Sequence, residues 1–257
     1  MVEYEIDKRA REVNIKAKSN KEFFLLHGYT GSPTDFNELG KYLNKRFNAT
    51  VRIIRLKGHG EKIENIDRLE YKDFINQAEE ELKKDLKKGR KIIIGGLSVG
   101  SLIALHLSAK YDVKGILNIS MPYKNKFPVG LITFFEPVIL KKHWKKPIPK
   151  YEKELRRNAF FYDINLKGLK IIKHAKKELK KVLKKIKAPC LIVHVSHDYI
   201  FHINGARFII EKISSNIKDL KILKTEKKAS HNPFFTPQNK ELYNILGDFV
   251  EENKLFD

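Results

Sequence analysis

The run Gly96-Leu97-Ser98-Val99-Gly100 sets one hydroxyl between two glycines, with Ile92, Ile93 and Ile94 before it and the helical apolar pattern SLIALHL after it. At a sharp strand-to-helix turn such a serine is lifted to the top of a sheet and meets the N-terminus of the next helix. Side chains two positions to either side would collide with the neighbouring strand and helix, and glycine removes both collisions. Ser98 is therefore the candidate nucleophile.

A serine hydroxyl attacks only once a base takes its proton. Elbow nucleophiles of this kind are followed along the chain by an acid and then a base. Of the acids after Ser98, only Asp198, closing CLIVHVSHD, ends a strand at its carboxyl end; Asp112, Asp163, Asp219 and Asp248 do not. The order sets aside His27, His59 and His106. His143 and His174 fall in a basic insertion, and His194 lies inside an apolar strand. His231, in KKASHNPFF just past the last strand, is the expected base, with His197 and His202 as rivals flanking the acid. His197 is a poor partner for Asp198 because adjacent residues in extended chain point oppositely.

A tetrahedral intermediate also needs backbone donors. The Val99 amide follows the nucleophile directly, and the Tyr29 amide in HGYTGSP is the second expected donor. His27 reads as a residue that orders that loop.

These residues need a frame that brings strand ends together. KEFFLLHG is a short continuous apolar run, as a strand buried on both faces should be, and ATVRIIRL, KIIIGG, VKGILNIS, APCLIVHVS and KDLKILK read as further strands. Helical patterns lie between them, one opening at Ser32 as N-cap with Pro33 at the first position, and another closed by Gly89. Strands alternating with helices predict an α/β fold, a mostly parallel sheet flanked by helices, with ligands beyond the carboxyl ends of the strands.

HGYTG, RLKGHG, GLSVG, APCLIVHVSHDYIF and ASHNPFF, in this order and spacing, resemble the α/β-hydrolase fold, and within it the bacterial carboxylesterase and monoacylglycerol lipase branch. The resemblance implies Ser98 as nucleophile, Asp198 as acid, His231 as base and the Tyr29 and Val99 amides as oxyanion hole. It implies a core of residues 1–120 and 188–257, with a helical cap at 121–187 after the strand that follows the nucleophile helix. Ser101 and Ser230 stand where the family commonly has glycine. The implied reaction is cleavage of a small-molecule carboxylic ester of short to medium acyl chain, monoacylglycerols included, with no metal or cofactor. Thioester or peptide cleavage on the same residues, or a non-catalytic basic binding module, are the alternatives.

At 257 residues with 42% hydrophobic side chains, the chain can bury a large core. Cys190 is the only cysteine, so no intrachain disulfide forms. No secretory or membrane-spanning pattern is visible, and a soluble, cytoplasmic protein is expected. The net charge of +21 is uneven. Residues 121–187 hold 18 Lys and two Arg against five acids, or +15, leaving +6 elsewhere. The lysines lack interleaved stacking aromatics, so nucleic acid is not the expected partner. The helix LKIIKHAKKELKKVLKKI puts Leu169, Ile172, Ala175, Leu179, Leu183 and Ile186 on one face and lysines on the other. Such a face is either solvated or drawn weakly to an anionic membrane surface or acyl carrier. Phe134, Phe135, Leu140 and Trp144, with Ile139, Phe160 and Phe161, either line an acyl pocket or form the cap's own core. The sequence leaves oligomeric state open.

Overall fold

The computed structural model describes residues 8–61, 63–126, 144–145, 163–164, 166–225 and 231–257. Its strands are β1 (Val13–Ile15), β2 (Lys21–Leu26), β3 (Thr50–Ile54), β4 (Lys91–Leu97), β5 (Gly115–Ile119), β6 (Trp144–Lys145), β7 (Asp163–Ile164), β8 (Cys190–Val195) and β9 (Lys218–Leu223). Seven of them form one sheet in the order β1-β3-β2-β4-β5-β8-β9. All pairs are parallel except β1 with β3, while β6 and β7 form a separate antiparallel pair.

The helices are α1 (Leu39–Phe47), α2 (Ile63–Asp67), α3 (Tyr71–Lys87), α4 (Val99–Ser108), α5 (Leu166–Val182), α6 (Asn204–Lys212) and α7 (Asn239–Glu252). Successive strand residues enter opposite cores. Phe24 and Leu26 pack under α3, α4 and α5, whereas Phe23 and Leu25 pack under α1 and α7. Helices on both faces explain why the inner strands read as unbroken apolar runs rather than as alternating ones. All six strands expected from the sequence are present. The antiparallel edge strand β1 is an addition: three residues with only one side of their ladder paired carry too little pattern to announce a strand.

The first helix departs from its sequence signals. Pro33–Phe36 makes only a 3₁₀ turn, Ser32 gives no side-chain cap, and the helix proper begins at Leu39. The break is Asn37, at φ 46°, a left-handed angle that ends a right-handed helix and that asparagine tolerates. Helix α3 opens on a capping box between Glu70 and Asp73 and is followed by Gly89 at φ 72°. Helix α5, within the basic segment, packs against α4 and α3 and contributes Ile171, Ala175 and Leu179 to the shared core.

At the amino ends of the strands lies a buried charge cluster. Arg52 of β3 pairs with Asp85, and through Nη2 with Glu12 and Glu81 at 2.8 Å each. Glu22 on the adjacent strand is 1% exposed. Burial, and then the negative charge of Asp85, raise its pKa to about 8 against the opposing pull of Arg52 and Arg90. The folded protein holds that proton where the unfolded chain has lost it. Stability is therefore full below the ordinary value of 4.5 and declines as pH rises toward 8. Glu22→Gln, which mimics the protonated acid, should match the wild type in thermal unfolding at pH 4 and exceed it by several kcal/mol at pH 9. An equal difference at both pH values would show that the Glu22 proton is not involved.

Candidate active site

The elbow is built from close backbone contact. Ser98 follows β4 at φ 54°, ψ −121°, a strained left-handed angle for a residue with a side chain. A Cβ on Gly96 would lie 2.2 Å from the Gly100 carbonyl carbon, and one on Gly100 would lie 2.0 Å from the Leu26 carbonyl oxygen. Both positions therefore need glycine. Ser101, where a further glycine was expected, turns its Oγ back to donate to the Ser98 carbonyl at 2.5 Å. Its hydroxyl is absorbed by the first helical turn instead of disturbing it.

The HGYTGSP loop lies directly against the elbow. A Cβ on Gly28 would sit 3.3 Å from Ser98 Cβ, so the loop touches the elbow at the residue before Tyr29. The Val99 amide begins α4 and so has no helical acceptor behind it. Two buried histidines shape this loop. His27 donates from Nδ1 to the Gly28 carbonyl at 2.9 Å and accepts at Nε2 from the Leu56 amide at 3.1 Å. His59 packs edge-on against His27 at 4.6 Å and contacts the Tyr29 carbonyl through Nε2. Burial pushes the His27 pKa well down and that of His59 to about 4, so both rings are neutral spacers that fix the loop. The Tyr29 ring lies under α5, where a Cβ on Gly168 would reach its Cε1 at 2.4 Å.

Asp198 is fully buried at the end of β8. Its Oδ1 accepts from the amides of Ile200 (2.8 Å) and Phe201 (3.0 Å), and its Oδ2 meets His231 Nδ1 at 2.6 Å. Burial acts to raise its pKa, but the charge and hydrogen bond of His231 together with the two amides hold it below the usual carboxylate value. An ionised Asp198 fixes the proton of His231 on Nδ1 and leaves Nε2 as the acceptor. That Nε2 is buried and has no hydrogen-bond partner among the described residues.

The rivals are turned elsewhere. His197 Nδ1 contacts the Thr225 carbonyl at 2.6 Å, and His202 Nδ1 accepts from the Asn204 amide at 3.1 Å. Phe134, Phe135 and Leu140 lie outside the described residues, as do His143 and Ser230. Trp144 is described through its backbone, which pairs with Ile164. Among the described residues no group of three His, Cys, Asp or Glu side chains could hold a metal ion.

Three features were missed in the sequence. Asn232 Nδ2 donates to the Asp35 carbonyl and Asn37 Nδ2 to the Phe234 carbonyl, both at 3.2 Å, and Phe36 packs on Phe234 at 5.2 Å. These contacts join the His231 loop to the loop after β2. Lys126 Nζ donates to the Asp198 carbonyl. Lys176, grouped with the solvated lysines of α5, is a correction. Its Nζ donates to Asn125 Oδ1 at 3.1 Å and lies 5.9 Å from the Phe201 ring centroid, and that ring is 5.2 Å from His231. Burial lowers its pKa to about 8. Helical periodicity itself puts Lys176 on the apolar stripe, four residues after Ile172 and three before Leu179; grouping it with the other lysines by residue type hid this.

No family model matches the chain. It is 25% identical to a carboxylesterase of Bacillus subtilis (strain 168) over 207 residues, which are 79% of this chain and 82% of that one. It is 33% identical to the thermostable monoacylglycerol lipase of Bacillus sp. (strain H-257) over 97 residues, 37% of this chain and 38% of that one. A solved metagenome-derived lipolytic enzyme superposes with a TM-score of 0.83 at 18% identity, covering 96% of this chain and all of that one.

The elbow contacts give a direct test. Gly100→Ala should cost about 3 kcal/mol in urea unfolding, because its Cβ meets backbone rather than a movable side chain. Gly89→Asn, at a left-handed position with nothing within 4 Å, should cost less than about 1 kcal/mol. Comparable losses at the two sites would mean that the elbow has room to adjust.

The sheet order, the elbow and these relatives agree: the chain has the α/β-hydrolase fold and is an esterase/lipase-like hydrolase, similar to the carboxylesterase and monoacylglycerol lipase branch.

Proposed function

We propose that the protein cleaves carboxylic esters of short to medium acyl chain, monoacylglycerols included, through an acyl-enzyme on Ser98. The observation that carries this reading is the strained Ser98 elbow in a fold where a buried Asp198 holds His231 by Nδ1 at 2.6 Å. Ser98 Oγ attacks the ester carbonyl as its proton passes to His231 Nε2. The amides of Val99 and Tyr29 receive the developing oxyanion. His231 returns the proton to the leaving alcohol, and water, activated by the same nitrogen, then releases the acid. Asp198 keeps the imidazole in the right tautomer and stabilises the imidazolium, while residues 121–187 supply the cap over the site.

A fluorophosphonate should label Ser98 in the wild type and not in Ser98→Ala, read by intact mass. On a chromogenic ester panel, Ser98→Ala and His231→Ala should each lower kcat by about 10⁵ to 10⁶, and Asp198→Ala by about 10⁴. Loss of activity in His202→Ala with retention in His231→Ala would move the base assignment.

The exposed Lys173, Lys177, Lys180, Lys181 and Lys184 of α5 and the turn after it form a basic face. This face attracts anionic vesicles or phosphate-bearing acyl carriers, which gives a thioesterase reading its one support. Changing Lys177, Lys180, Lys181 and Lys184 to Gln should abolish salt-dependent binding to phosphatidylglycerol vesicles and leave kcat/KM for a neutral ester unchanged. Vesicle binding that survives all four substitutions would mean the face is solvated only.

A further inference from the structure

Beside the Asp198 loop, where β8 and β9 end and α6 begins, lies a cavity of about 270 Å³. Its charged and titratable lining residues are Lys126, His194, His202 and Arg207, and none of its walls is acidic. Lys126 and Arg207 form no salt bridge among the described residues. Lys126 donates to a backbone carbonyl and Arg207 to Asn204 Oδ1 at 3.3 Å. His202 accepts at Nδ1, so its Nε2 carries a proton available for donation. His194 also borders the cavity and is 2% exposed. The positive end of α6 adds to the same field.

The remaining walls are Ser196 and two isoleucines. Ile203 lines the cavity, as does Ile222, which is 46% exposed and is among the few large apolar side chains left open to solvent. Two unpaired cations and a donating imidazole call for an anion. An isoleucine on either side calls for an apolar body attached to it.

We propose that this cavity binds a short-chain carboxylate, at a site separate from Ser98. Arg207 and Lys126 take the carboxylate, His202 adds a neutral donor, and the chain lies on Ile203 and Ile222. Lys126 is shared between this cavity and the Asp198 carbonyl. A carboxylate that draws the ammonium away loosens the loop carrying the acid. Under the ester-cleaving reading above, the ligand class is that of the reaction's own acid product, and the cavity is a place for feedback.

The test is calorimetric titration of the whole chain carrying Ser98→Ala, with hexanoate, hexanamide and inorganic phosphate as probes at low ionic strength. Hexanoate should bind. The added change Arg207→Gln should weaken it about tenfold, and Arg207 is an exposed helix residue whose loss leaves the core intact. Hexanamide, which has the same body without the charge, should not bind, and phosphate should bind more weakly than hexanoate. Hexanoate affinity unaffected by Arg207→Gln would place the ligand elsewhere, the acyl pocket included, and overturn the proposal. Equal affinity for hexanamide or for phosphate would overturn the carboxylate class. Binding is read without turnover, so a failure of the Ser98 assignment leaves this result standing and the reverse also holds.

Discussion

The first turn of α4 approaches the end of β2 so closely that a single methyl group on Gly100 would press into the Leu26 and His27 carbonyls. The rest of the site hangs on that contact. It holds Ser98 at its left-handed angle, sets the start of α4 directly after it, and brings the loop after β2 to within side-chain contact of Ser98. A looser approach would let Ser98 relax into the helix and turn its hydroxyl toward the core. The strain at one residue is maintained because the packed sheet on both faces leaves the two strands no room to separate.

The same fold holds two buried carboxylates in opposite states, and the difference lies in their donors. Asp198 receives two amides and an imidazole, which together overcome burial and keep it ionised. Glu22 faces Asp85 across the far end of the sheet, and burial and like charge keep its proton on. Histidines divide in the same way. His27 is a neutral spacer with one nitrogen donating to and the other accepting from the backbone, whereas His231 has Nδ1 committed to Asp198 and Nε2 without a partner among the described residues. Residue type alone does not assign a role here; the number of committed lone pairs and protons does.

Much of this was legible from the chain because the signals were local. The inner strands are apolar on both faces, so Phe23 to Leu26 and Ile92 to Ile94 stand out without any partner being known. Ser98 is marked by glycines within two residues, and Asp198 and His231 by position just past strand ends. What could not be read depends on residues far apart. The Asn232–Asp35 and Asn37–Phe234 contacts each span 197 positions, and neither asparagine differs from an ordinary loop residue in sequence. The left-handed angle that delays α1 to Leu39 belongs to one of them. Lys176 was grouped with the lysine face by residue type although its spacing sets it on the apolar stripe, and its partner Asn125 lies 51 positions away. A three-residue edge strand gives periodicity nothing to act on.

The asparagine that ties the His231 loop down is followed by Pro233. Deamidation of an asparagine proceeds when the next backbone nitrogen, after losing its hydrogen, closes on the side-chain amide to form a cyclic imide. Proline has no such hydrogen. Asn232 therefore keeps its amide, and with it the Nδ2 donor to Asp35, through prolonged heating. Asn37, followed by Glu38, has no such protection. Chemical ageing by this route thus falls on the second tie first.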